Sequence, residues 1–163
     1  MKKPCKLCKT MKIREKIIYE NAFFVSILDI HPVSPGHALV IPKRHVVSLL
    51  ELNKEEWESL FPAIKEVISF IENTVLRKEY EKLKRIVEKK EPEEPTSWIE
   101  EIMESPNLGR KPDGYNIGNN EGRAAGRTID HLHIQIIPRY EGDVGDPTGG
   151  IRNVIKEKGN YKK

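Results

Sequence analysis

Glutamine is nearly absent from this chain: Gln135 is the single one among 163 residues. Cysteines number two, Cys5 and Cys8, and aromatic residues make up 7%. Two cysteines exclude a disulfide-stapled scaffold. In a reducing compartment a C-x-x-C pair reads as half a metal site or a redox motif before it reads as a structural bridge. Long apolar runs are missing as well. The apolar blocks, such as Ala22–Leu28 and Ala38–Ile41, fall far short of the roughly 18 residues of a membrane-spanning helix. Met1–Glu20 is charged throughout and lacks the apolar centre of a secretory leader, which points to a cytoplasmic protein with no membrane partner. Nor does one charge sign dominate: 28 basic and 25 acidic residues leave a net +3. That is no electrostatic footprint for nucleic acid.

What is present suits a single domain over residues 1–163. A chain of this length can bury roughly 68–70% of its unfolded surface. Hydrophobic residues are 37% and charged ones 33%, and the apolar residues come in blocks, which argues against disorder. Abundant lysine and glutamate lean toward a heat-resistant protein.

Ile17–Tyr19 and Phe23–Asp29 read as consecutive short strands rich in β-branched and aromatic residues. His31–His37, set by two prolines and a glycine, is a loop, and Ala38–Ile41 a third strand stopped by Pro42. A long helix is predicted to start at Asn53, an N-cap with Glu56 placed for a capping box. Trp57, Leu60, Phe61, Ile64, Val67, Ile68, Ile71 and Val75 then follow helical spacing, with Pro62 expected to kink the helix or mark a join. The stripe continues through Leu76, Tyr80, Leu83 and Val87. There, seven basic and six acidic residues fall within Arg77–Pro95, as on a solvated amphipathic helix. Ser97-x-x-Glu100 suggests a further short helix. Tyr115–Ile117 and Ile129–Ile137 read as the last strands, with Pro138 ending the second.

The chemistry concentrates in His131-Leu132-His133-Ile134-Gln135-Ile136-Ile137. On a strand, alternation puts His131, His133 and Gln135 on one face and Leu132, Ile134 and Ile136 on the other. Three polar groups in a row are costly unless that face lines a site. Just upstream, Asn120, Gly126, Arg127 and Thr128 could serve a phosphate. Gly126 permits close backbone approach, the other three offer donors, and turn amides can form an anion nest.

Taken together, Cys5-x-x-Cys8, Asp29-Ile30-His31-Pro32 with Ser34-Pro35-Gly36-His37, Leu39-Val40-Ile41-Pro42-Lys43-Arg44-His45, and Ala125-Gly126 through Pro138-Arg139 resemble the histidine triad (HIT) family of nucleotide hydrolases and transferases. The resemblance covers most of residues 5–75 and 112–155; residues 77–110 are longer than the family's usual connection. It implies an α+β fold: an antiparallel sheet of about five strands, one long helix packed on it and a charged helical insertion at about 77–110.

The resemblance also implies roles. His133, the middle position of His-x-His-x-His, would attack the α-phosphorus of a nucleotide and carry a nucleotidyl-histidine. A neutral imidazole can do this without a strong base if its other nitrogen donates, typically to a backbone carbonyl. Asn120, Gly126 and Thr128 match phosphate-contacting positions, Asp29 the acid that holds ribose hydroxyls, Ile30 a wall of the base pocket, and His37 a further active-site histidine. Arg127 stands where the family has glutamine or a small residue. Zinc-bearing members draw ligands from positions matching Cys5, Cys8, His45 and His131, which implies a structural zinc, with His131 fixed beside the nucleophile. A homodimer is implied as well. Magnesium can accompany a polyphosphate substrate, though no carboxylate cluster demands it.

Gln135 departs from the triad. Glutamine has no titratable proton to give a leaving group. The site is therefore expected to favour phosphate leaving groups over amines. The His-x-His-x-Gln form resembles the transferase branches of the family, which implies nucleotidyl transfer or phosphorolysis on a (di)nucleoside polyphosphate, as in a diadenosine polyphosphate phosphorylase- or hydrolase-like enzyme, with hydrolysis as a slower default. The alternatives are a non-catalytic nucleotide sensor or adaptor of the same fold, which an intact His133 argues against, and a zinc-anchored partner-binding module using the charged insertion.

Overall fold

The computed structural model describes residues 5–160; the first part of the leader reading, at residues 1–4, lies outside the described residues. Five strands form one antiparallel sheet: β1 (Ile17–Glu20), β2 (Phe24–Leu28), β3 (Ala38–Pro42), β4 (Gly114–Gly118) and β5 (Ile134–Arg139). Their order is β1-β2-β3-β5-β4. The helices are α1 (Lys6–Thr10), α2 (Lys54–Asn73), α3 (Leu76–Lys90), α4 (Ser97–Met103) and α5 (Lys156–Gly159). The chain is thus α+β, and α2 to α4 carry it from β3 to the far edge of the sheet.

Side-chain alternation sorts the apolar residues onto two faces. Phe24 and Leu28 of β2, Ala38 and Val40 of β3, and Ile134 and Ile136 of β5 join Leu60, Ala63, Val67 and Ile71 of α2 in the main core. Val25, Ile27, Leu39 and Ile41 face the other way, with Leu7 of α1. Being covered on both faces, β3 reads as an unbroken apolar run and β2 as one interrupted only by the buried Ser26, rather than as alternating strands.

Helix α2 begins as expected. Asn53 accepts from the Glu56 N–H while Glu56 accepts from that of Asn53. Pro62 marks no join, for α2 runs through it to Asn73. The break comes at Thr74, whose backbone is extended, and α3 starts two residues later. Nor does the whole apolar stripe turn inward: Trp57 and Phe61 stay exposed. The charged helix α3 buries Leu76, Tyr80, Leu83 and Val87 in the main core beside Ile99 and Ile102 of α4, so residues 77–110 are fastened to the domain by one apolar face. Helix α4 is capped at Thr96, not at Ser97, without a side-chain cap bond. The last strand starts at Ile134, where pairing with Val40 begins, rather than at Ile129, and it continues through Pro138 to Arg139.

Candidate active site

His133 immediately precedes β5. Its ring Nδ1 lies 2.8 Å from the His131 carbonyl oxygen. A carbonyl can only accept, so Nδ1 carries the proton and Nε2 keeps its lone pair. This is the backbone-held tautomer that a nucleophilic imidazole requires. Leu132, Ile134 and Ile136 are buried while His133 and Gln135 are half-buried, as alternation predicts. His131 departs from the pattern. It precedes the ladder and is fully buried.

His131 belongs to a second cluster. Its Nε2–H donates to the Pro42 carbonyl at 2.9 Å, which leaves the Nδ1 lone pair facing Cys8 Sγ at 3.3 Å and Cys5 Sγ at 3.5 Å. His45 Nδ1 lies 3.3 Å from the same Cys8 sulfur. One ligand atom from each of Cys5, Cys8, His45 and His131 falls within 4.8 Å of the others. Two thiols and two imidazoles so gathered are a tetrahedral zinc donor set. The donor chemistry and the outward His131 proton both fit that metal. Burial, and then Cys5, push the Cys8 thiol up.

The loop Ser34–His37 is pinned from three sides. Ser34 Oγ donates to the Pro138 carbonyl at 2.5 Å, Tyr140 donates its hydroxyl to the Pro35 carbonyl at 2.9 Å, and the Gly36 N–H donates to the Tyr80 hydroxyl oxygen at 2.9 Å. Gly36 has φ of 87°, and a Cβ there would meet Ile71 at 2.8 Å, so only glycine fits. The pinned loop delivers His37, which is buried. His37 Nδ1 accepts the Val33 N–H, so Nε2 carries the proton; it lies 3.8 Å from the Asp29 carboxylate and beside Gln135. Burial lowers the His37 pKa, the charge of Asp29 and the Gln135 amide oppose this, and His133 adds to the lowering. Asp29 is held by its own turn, accepting the His31 N–H at 2.9 Å.

A cavity of about 300 Å³ brings His133, Gln135, Asp29, Ile30 and Thr128 together. That volume is at the lower end for a small-molecule site. The remaining sequence-predicted residues sit around it. Arg127 turns away into a neighbouring groove of about 890 Å³, which Thr128 also lines. Its side chain is 18% exposed, and its guanidinium engages Asp130 and Glu121. Asn120 lies on the other side of Gln135, in a hollow of about 390 Å³, and donates to the Gly126 carbonyl at 3.4 Å. Gly126 adopts φ of 92°, the left-handed conformation its role as a turn requires. The cavity has further walls that sequence reasoning missed: Thr10 and Lys16, with Ile27 and Leu39 between them and Gln135. Lys16 sits in the charged run Arg14-Glu15-Lys16, and nothing in that run marks it as inward-facing.

The HIT domain family model matches residues 10–142. An uncharacterized HIT-like protein of Methanocaldococcus jannaschii is 35% identical over 154 residues, covering 92% of this chain and 91% of that one. The adenosine 5'-monophosphoramidase hnt1 of Schizosaccharomyces pombe is 29% identical over 143 residues, covering 86% and 78% respectively. Among solved structures, a zinc-bound histidine triad family protein of Mycobacterium smegmatis superposes with a TM-score of 0.52 at 28% identity, over 85% of this chain and 77% of that one.

Proposed function

The chain belongs to the HIT domain family, and from that premise we propose that it is a nucleotide-binding enzyme working at the α-phosphate of a nucleoside polyphosphate through His133. The observation that carries this reading is the His133 tautomer: Nδ1–H is held by the His131 carbonyl, and the free Nε2 belongs to a ring lining the same cavity as Asp29 and Thr128. In the first step Nε2 attacks the α-phosphorus in line. The bond to the leaving phosphate breaks, its electron pair stays on the leaving oxygen, and nucleotidyl-His133 forms. In the second, water or inorganic phosphate displaces the nucleotide and returns the lone pair to Nε2. Water yields a nucleoside monophosphate, phosphate a diphosphate.

On this reading Thr128, which lines the His133 cavity, and the neighbouring turn at Gly126 and Asn120 would meet the developing phosphoryl charge, and Asp29 would accept from ribose hydroxyls. Arg127, engaged by Asp130 and Glu121, is assigned to the outer groove and the distal phosphates of a longer substrate. Gln135 offers no proton, so phosphate leaving groups are favoured; magnesium, where a polyphosphate brings it, arrives with the substrate. Cys5, Cys8, His45 and His131 would hold a zinc ion, which would supply a fixed anchor rather than a reacting group. We read residues 77–110 as an insertion of one domain, and two copies of the chain as pairing. Among the described residues no helix is long and apolar enough to cross a membrane.

The test is a product assay with diadenosine tetraphosphate, with and without inorganic phosphate, for wild type and His133→Ala. ADP and ATP formed only with phosphate establish phosphorolysis; AMP and ATP regardless of phosphate establish hydrolysis. Undiminished turnover by His133→Ala refutes the mechanism.

A further inference from the structure

The inference here rests on the nucleotide reading of the His133 cavity and concerns the end of that cavity farthest from the phosphate. Gln135 pairs with Leu39, Leu39 with Ile27, and Ile27 with Ile17. These four stand in one row across four neighbouring strands. At the usual strand spacing the row spans about 14 Å, the reach of an extended nucleoside monophosphate. Its phosphate end is Gln135 with His133. Its apolar floor is Leu39 and Ile27, which face the same side of the sheet. Its far end is Lys16, next in sequence to Ile17, together with Thr10; both line the cavity that His133 lines. A base lying on Leu39 and Ile27 therefore presents an edge to Lys16 and Thr10.

Lys16 is an unusual residue to find there. Its side chain is 1% exposed and forms an ion pair with Glu91, just past the end of α3. Thr10 Oγ1 donates to the same carboxylate at 3.3 Å. A buried ammonium is costly unless its hydrogens find acceptors, and among the described residues only one of its three N–H groups does, at Glu91. Burial draws its pKa down to about 8, against the opposing charge of Glu94, so it stays a cation at neutral pH. An apolar slot that ends in a cation with donors to spare is matched by carbonyl oxygen. It is mismatched by an amino group, which presents hydrogens to hydrogens. Among purines the difference lies at position six: guanine and hypoxanthine carry O6 beside N7, two adjacent acceptors that lysine reads well, whereas adenine carries an amine.

We propose that Lys16 is the specificity-determining residue of the nucleotide pocket, donating to the O6 carbonyl of a 6-oxopurine, so that guanine and hypoxanthine nucleotides bind ahead of adenine nucleotides. Titration calorimetry of the full chain with GMP, IMP and AMP tests it. The wild type is expected to bind GMP and IMP about tenfold or more tighter than AMP. The double variant Lys16→Met/Glu91→Gln, which leaves no orphan carboxylate, is expected to lose that preference through weaker GMP and IMP binding, with AMP little changed. Lys16→Arg keeps the charge and retains most of the preference, which guards against a variant that fails to fold. A wild type that binds AMP as well as GMP overturns the assignment of Lys16 while leaving the nucleotide pocket standing. So does a folded double variant with the preference intact. Binding of none of the three overturns the pocket itself, and the assignment with it.

Discussion

Replacing Tyr80 by phenylalanine removes one oxygen from helix α3, and the expected consequence is felt in the active site. Tyr80 is fully buried, and its hydroxyl accepts the Gly36 N–H at 2.9 Å. Burial holds the phenol protonated well above its ordinary range. The phenyl ring of Tyr80→Phe keeps nearly all the apolar contact, so the change isolates the hydrogen bond. It leaves a backbone donor unpaired away from water, which costs about 1–3 kcal/mol. For a protein of this length that corresponds to a Tm lowered by about 2–12 °C. The freed donor lies one residue before His37, whose carbonyl accepts the Asp29 N–H at 2.9 Å. A loosened loop therefore disturbs both Asp29 and the histidine beside Gln135, and nucleotide affinity falls along with stability. Scanning calorimetry with and without AMP measures both effects. A Tm within about 1 °C of wild type, a shift smaller than one kcal/mol would give, would refute the claim that α3 holds the site. An equal loss of stability with unchanged AMP affinity would confine Tyr80 to the core.

Gln135→His restores a titratable group beside the leaving-group oxygen, and turnover of an adenosine phosphoramidate relative to diadenosine tetraphosphate should rise at least tenfold; an unchanged ratio means that Gln135 does not set the leaving group. Protein expressed with ample zinc should carry close to one zinc per chain, and Cys8→Ser should carry well under half of that; elemental analysis decides, and a zinc-free wild type sinks the assignment. Arg139 grips Asp143 through two bonds of 2.7 and 2.8 Å and holds its carboxyl down to about 2. The folded pKa lies below the unfolded one, so this stabilisation is complete above about pH 4 and is lost as pH falls toward 2. Asp143→Asn should flatten the fall of the urea midpoint across that window, and a slope identical to wild type would count against the pair.

Much of this fold was legible because its signals are local. The Asn53 cap, the β-branched strands and the alternation of Leu132, Ile134 and Ile136 each follow from a few neighbouring residues. The junction between α2 and α3 was not, since the apolar stripe runs unbroken across Thr74 and the sequence offers a stronger breaker in Pro62. Proline's missing N–H and fixed φ forbid less than the pattern suggests when a long amphipathic helix is held by packing on both sides of it. Among site residues, those in compact motifs could be placed: His133, Asp29, His37 and the group Cys5, Cys8, His45 and His131. Lys16 could not, because its neighbours Arg14 and Glu15 are surface residues and its partner Glu91 lies 75 positions away. Arg127 was placed only in part. Its position in a glycine-rich loop suggested a donor to phosphate, but nothing local showed that its side chain would line the outer groove beside Asp130 and Glu121.

One spacing ties the two chemical clusters together. His131 and His133 are two residues apart, yet their rings serve different masters. The His131 imidazole stands among the two thiols and His45, its outer proton fixed by the Pro42 carbonyl. Its own carbonyl accepts Nδ1–H of His133. Any group that immobilises the His131 ring therefore also immobilises the acceptor that decides which nitrogen of His133 stays free. In the other direction, Cys5 precedes α1 and Cys8 lies within it, and that helix carries Thr10 to the cavity that His133 lines. A metal bound there would brace His133 through one ligand and the cavity wall through two others. One donor group can in this way set both the tautomer of His133 and the shape of the cavity beside it.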